Sequence, residues 1–326
     1  MAQTSSMIPP AGPAWTGSLM GTSIIATLLH NHADGVAGMP DAPAGMWRTY
    51  LLWASGFFLI IATGILAVTL IGLARHRTPP FKPEHMAPWG MFAMGVISLG
   101  GAWTAMTGES IYQLIGYLTG GLGGFIIALN QWRKFPGSPS FQWGLALVVP
   151  MVAATAAGQL GFITLGRIGF ILVWLIGVPV FAYVYLALIR GHASIPVALG
   201  TTTWIPVGVI GQSTASAQLL FPTKFALTYA AVMLSLGVMA SAFALYQEFR
   251  TVKAWSAYSP AWWGSTFPVG TMSLGTHFVA LNAQMPIFDR ISQAFLALAI
   301  VNWLLCVARF STWLVSSYRT GSGDAK

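Results

Sequence analysis

Charge is what this chain has least of. Of its 326 residues, 7% are Asp, Glu, Lys or Arg, where soluble domains carry about 25%. Hydrophobic residues make up 56%, and the mean hydropathy is +0.70. Such a composition cannot present a soluble surface and belongs in a bilayer. Cysteine is nearly absent too: Cys306 stands alone, which excludes an internal disulfide and any cysteine-built metal site. It sits in an apolar run and reads as a buried, inert thiol. Residues 1–12 carry no positive charge and no short apolar core, so no signal peptide is expected. Catalytic signatures are missing: there is no HExxH, no GxSxG, no phosphate loop and no carboxylate pair. The expectation is that the protein is not an enzyme, with no catalytic residues, no cofactor and no resident metal.

What is present is a succession of apolar runs. A membrane span needs roughly 20 mostly apolar residues. Ten are read: 13–31, 47–73, 87–107, 110–131, 142–163, 167–190, 195–220, 224–247, 260–283 and 290–316. Short connections pair them into five consecutive hairpins and leave no room for a soluble domain. The fold class is therefore all-α integral membrane, organised as a cytoplasmic segment 1–12, a transport domain 13–318 and a disordered tail 319–326. Counted by loop, 11 of the 15 basic residues fall on one side and 4 on the other. Lys and Arg favour the cytoplasm, so both termini are expected there. The basic excess is a topology signal and not a nucleic-acid surface.

The spans are not alike. Spans 2, 6, 8 and 10 read as lipid-facing, as in "FFLIIATGILAVTLIGLA". Spans 1, 5, 7 and 9 carry Pro, Gly, hydroxyls and amides inside the apolar run, and span 3 does so more weakly. Polar groups at membrane depth face protein or a water-filled path, so odd spans inside and even spans outside is the expected plan. The residues expected to line the path are Gly17, Gly21, Thr22, Ser98, Thr155, Gly208, Gln212, Ser216, Gly264 and Thr271. Tight packing is the competing reading, because small residues also let helices approach closely. For Gly116, Gly120 and Gly124 in span 4, packing is the better account.

No Lys, Arg, Asp or Glu is expected well inside a span, Glu248 and Asp289 being read as near helix ends. That excludes a buried carboxylate relay and an acidic selectivity ring. A neutral path of hydroxyls and amides under a basic cytoplasmic face favours anions over cations. His30 and His32, near Asp34, read as a solvated outer loop, with metal binding as the alternative. His76, His85 and His192 read as part of the basic face. His277 is read as the one histidine inside a span, either packed or as a titratable vestibule residue. Haem would need facing intramembrane histidines, which this reading does not supply.

"PAWTGSLMGTS" (13–23) and "PAWWGSTFPVGTM" (260–272) share a proline, a tryptophan and a following run of small and hydroxyl residues. With "GVIGQSTASAQ" in span 7 and the ten-span plan, these segments resemble the tellurite-resistance/dicarboxylate transporter family. That family includes bacterial tellurite-resistance proteins, fungal malate permeases and sulfite exporters, and plant slow anion channels. The resemblance implies five hairpins around a central pore, a homotrimer with one pore per subunit, and an aromatic plug on the ninth span. Phe267 occupies the plug position. It also implies a small-anion substrate (a C4-dicarboxylate such as malate, sulfite, or a halide or nitrate) and a plasma (inner) membrane location among lipid. One departure is that no basic residue inside a span marks a particular substrate. A proton-coupled exporter of organic acid, sulfite or a tellurite-related oxyanion, with His277 as its titratable residue, is the alternative.

Overall fold

The computed structural model describes residues 12–35, 45–75 and 79–321, the last five by backbone alone. The N-terminal segment through residue 11, His76, Arg77 and residues 322–326 lie outside it. Among the described residues the chain is entirely helical, with no strand. Seven helical stretches are long and apolar enough to cross a membrane: Met46–Arg75, Pro83–Thr107, Ser110–Trp132, Phe141–Gln159, Ile163–Ile189, Thr223–Lys253 and Pro286–Ser316. The other three expected spans are helical but fall outside that set. They are α1 (Gly17–Asp34), α9 (Ile205–Leu220) and α11 (Thr266–Ala283). Their hydroxyls, amides and glycines dilute the apolar run.

The remaining helices are α2 (Met46–Arg75), α3 (Met86–Thr107), α4 (Ser110–Gly116), α5 (Leu122–Trp132), α6 (Gly144–Leu147), α7 (Val149–Gln159), α8 (Ile163–Ile189), α10 (Thr223–Lys253) and α12 (Pro286–Gly321). A π turn at Tyr117–Gly121 joins α4 to α5. Among the described residues five 3₁₀ turns occur, at Pro13–Thr16, Pro83–His85, Phe141–Trp143, Val197–Trp204 and Pro260–Gly264. Each opens one of the odd-numbered stretches. Each has a proline at its start or just before it: Pro13, Pro83, Pro139, Pro196 and Pro260. Proline suits a helix start, where its missing N–H costs nothing. Pro150 and Pro206 likewise sit in the first positions of α7 and α9. Pro268 lies in the first turn of α11. These prolines therefore start helices and do not kink them. The shared "PAW" is such a start, used twice. Trp262 of the second copy is buried, 1% exposed.

The packing order follows from composition. Helix α1 packs on α3, α3 on α6 and α7, α7 on α9, α9 on α11, and α11 back on α1. That closes a ring of the odd stretches. Even helices cover it: α2 on α1, α4 on α3, α8 on α7, α10 on α9 and α12 on α11. Close approach needs glycine where backbones touch. A Cβ on Gly211 of α9 would meet the α11 backbone at Met272 N, 2.4 Å away. The span 4 glycines pack within the chain. A Cβ on Gly120 would lie 2.4 Å from Ala93 O of α3, and one on Gly124 2.2 Å from Val149 Cγ1 of α7.

Hydroxyls add bonds between helices. Ser55 Oγ donates to Ala26 O at 2.8 Å, and Trp303 Nε1 donates to Thr22 Oγ1 at 2.9 Å. Glu248 lies near the end of α10, as expected, yet it is buried: it is 7% exposed. It accepts from Trp204 Nε1 at 2.7 Å and from Asn302 Nδ2 at 3.4 Å. The helix runs on to Lys253, which leaves Glu248 one turn inside it, where neighbouring donors satisfy the carboxylate.

Candidate functional site

Two cavities lie inside the ring. The first, about 360 Å³, is bounded by the beginnings of the odd stretches, including Gly17 and Met20 of α1, Met91 and Met94 of α3, and Gly264 and Pro268 next to and within α11. The second, about 50 Å³, is bounded by residues further along the same helices: Ile24 and Thr27, Ile97 and Ser98, Thr155 and Gln159, and Leu274. The order is the same on every helix, so the helices run parallel and the cavities are stacked along them. Three residues border both: Val152, Gln212 and Phe267. Phe267 is 6% exposed and lies where one cavity gives way to the other. No Asp, Glu, Lys, Arg or His borders either cavity.

Expected path residues divide into two sets. Gly17, Gly208 and Gly264 border the first cavity, Ser98 and Thr155 the second, and Gln212 both. Gly21, Thr22, Ser216 and Thr271 border neither. Gly21 is pressed against Thr266. Thr22 turns outward to accept from Trp303. Thr271 Oγ1 donates to Pro268 O at 2.7 Å and lies 3.0 Å from Gly208 O, fastening α11 to α9. Ser216 Oγ sits 2.7 Å from Thr155 Oγ1 and 2.9 Å from Gln212 O, so it braces the polar pair that does reach the cavity. Periodicity does not resolve these sides, because α9 and α11 are buried all round.

The Cβ positions of Gly264 and Gly270 are closely approached by other parts of the chain. A Cβ on Gly264 would meet Thr201 O at 3.2 Å, and one on Gly270 would meet Ile24 Cγ2 at 2.6 Å. Both glycines are filled by neighbours. Gln212 Nε2 donates to Thr155 Oγ1, and its Oε1 has no protein partner. Rotating the amide by a half turn exchanges the two. Gln113 of α4 borders the second cavity and was missed. It belongs to an even stretch, and no polar periodicity marks it.

The histidines are also placed differently. His30 and His32 lie in the last turn of α1, not in a loop. The helix outlasts its hydropathy because His30 Nε2 pairs with Asp34 Oδ2 at 3.3 Å and Arg48 Nη2 with Asp34 Oδ1 at 3.0 Å. His32 is 4% exposed, so His277 is not alone in the helical body. His277 borders neither cavity. In the loop before α11, Tyr258 accepts from Trp263 Nε1 at 2.7 Å, and burial pushes its hydroxyl well above the usual phenol range.

No curated protein matches the chain. The family model described as "voltage-dependent anion channel" matches residues 11–311, a stretch that holds both cavities, Phe267 and every helix of the ring. The chain is thus a membrane protein of the voltage-dependent anion channel (SLAC1) family, the tellurite-resistance/dicarboxylate transporter group that its "PAW" segments resemble.

Proposed function

We propose that this chain conducts small anions through the stacked cavities, with the Phe267 ring as the gate between them. The observation that carries the reading is that Phe267 borders both cavities while no ionisable side chain borders either. Neutral donors, above all Gln212, Thr155 and Ser98, solvate an anion without holding it as a fixed cation would. The parallel helices also direct their positive N-terminal ends at the first cavity, which favours negative charge there. A benzyl group at the constriction excludes water, and hydrophobic constrictions gate by dewetting. The full reading is ten membrane crossings in five hairpins around this pore, both termini cytoplasmic, in a plasma-membrane homotrimer with one pore per subunit. The family and the positive-inside balance of the loops support it. The substrate class is small anions: chloride, nitrate, sulfite or a C4-dicarboxylate. A proton-coupled cycle gains no support from the cavities, which lack a titratable lining group.

The test is a panel of these anions in proteoliposomes. Phe267→Ala is expected to raise flux about tenfold or more, a decade being about 1.4 kcal/mol of barrier, and Phe267→Leu to raise it less. Thermal stability is read on the same preparations. A truncated core phenylalanine costs about 3–5 kcal/mol, so lowered stability with unchanged flux per folded protein would reject the gate.

A further inference from the structure

Beyond the cavities, the far ends of α1 and α11 meet the first turn of α12. There His32, His277 and Asp289 converge. Asp289 Oδ1 is 3.4 Å from His277 Nδ1 and 3.6 Å from His32 Nδ1. One ligand atom from each of the three lies within 4.8 Å of the others. The two rings stand edge to face with centroids 5.1 Å apart. Their side chains are 4% and 5% exposed, and that of Asp289 is 16% exposed.

Hydrogen bonds orient His32. Ser273 Oγ donates to Ser292 O at 2.8 Å, and Ser292 Oγ donates to Ser273 O at 2.7 Å. In this pattern Ser292 Oγ, 3.0 Å from His32 Nε2, accepts, and His32 carries its proton on Nε2. The Nδ1 lone pair then faces a carboxylate oxygen and the second ring. His277 Nδ1 and Asp289 Oδ1 hydrogen-bond directly, and the same two atoms together with His32 Nδ1 can instead turn their lone pairs to a shared cation. The other oxygen of Asp289 is held in turn by Gln293 Nε2 at 2.8 Å. An imidazole and a carboxylate each anchored through their far atoms is the outer-shell pattern of a metal site.

We propose that His32, His277 and Asp289 bind a divalent transition metal of the zinc class, pinning α1, α11 and α12 together. Two ligands at about 2.0–2.1 Å on a tetrahedral ion stand about 3.3 Å apart, close to the two separations from Asp289 Oδ1, while the two imidazoles, within 4.8 Å, close on the ion. Two imidazole nitrogens and a single carboxylate select zinc-like ions over magnesium or calcium, which take oxygen shells. The partly exposed Asp289 gives the ion an entry, and a water completes the fourth position. The site fastens α11 ten residues beyond Phe267, roughly 15 Å along a helix, so it anchors the helix and is not part of the passage.

The test needs no flux measurement. Full-length protein in detergent is stripped with a chelator and titrated with Zn²⁺, following both binding stoichiometry and thermal unfolding. Saturation at one Zn²⁺ per subunit with a raised Tm, and no such response to Mg²⁺, is the expected result. Asp289→Asn and His277→Ala should each weaken binding at least tenfold, whereas His30→Ala should not. If His277→Ala does not fold, Asp289→Asn, at the exposed edge of the cluster, decides alone. No saturable Zn²⁺ binding by the unaltered protein, or unchanged affinity in Asp289→Asn, would overturn the proposal.

Discussion

Helix α2 lies in the outer layer and α11 in the inner ring, and they obey opposite rules. In α2, a nearly unbroken apolar run, 6 of 30 residues are buried. In α11, with its threonines, serine, glycines and histidine, 14 of 18 are buried. A soluble protein would reverse this, since its apolar faces turn inward. Lipid tails are as apolar as leucine, so the bilayer gives α2 no reason to hide. Hydroxyls and amides must find partners or water inside. Burial in this molecule therefore follows polarity and smallness. The neutral cavities form where such residues meet without filling the space between them.

The comparison breaks most visibly at glycine. Gly211 faces the α11 backbone, while Gly64 of α2 has open space around its Cβ position. Gly211→Leu is expected to cost about 3 kcal/mol or more through overpacking and to abolish recoverable folded protein in detergent. Gly64→Leu should leave yield and Tm unchanged. Equal tolerance at both positions would mean that α9 and α11 do not approach as described.

Glu248 sharpens the rule from the other side, as the charge-bearing residue buried in an outer helix. Glu248→Ala leaves the indole N–H of Trp204 and the amide of Asn302 without their acceptor. The expected loss is about 1–3 kcal/mol, read as a lowered Tm, and Glu248→Gln should restore most of it by returning a carbonyl oxygen. If both variants unfold alike, the contacts of Glu248 are not what holds it.

Within the inner ring, cavity-bordering and bracing positions can be told apart chemically. Cys306 is buried and donates to Trp262 O at 3.1 Å, so the background of thiol labelling is low. Cysteines replacing Thr202 or Ser98 should react with a small water-soluble thiol reagent at least roughly tenfold faster than cysteines replacing Ser216 or Thr271, since the reagent needs an exposed thiolate. Similar rates in the two sets would dissolve the distinction. The smallest effect belongs to the surface. Arg48→Ala removes an exposed pair with Asp34 and should cost about 0.2–1 kcal/mol, vanishing in high salt.

Membrane residence and helical class were legible in the amino acids because both rest on composition: too few charges for a soluble surface, and runs long enough to span. The inner position of spans 1, 5, 7 and 9 was legible for the same reason, since a hydroxyl in an apolar run has few places to go. Span 3 was a weaker signal, and its most apolar window is buried to the same extent, 44%, as that of 110–132. Only its contacts with α1, α6 and α7 place it in the ring. The facing of each polar residue was not legible. Ser216 and Gln212 lie four apart on one helix, yet Gln212 reaches both cavities and Ser216 braces it from behind. A helix buried on every side has no solvent face to impose a period, so tertiary packing alone decides which polar side chain meets a cavity. The same holds for His32, His277 and Asp289. Their separation in the chain conceals a cluster that exists only because α1 and α11 end together against the first turn of α12.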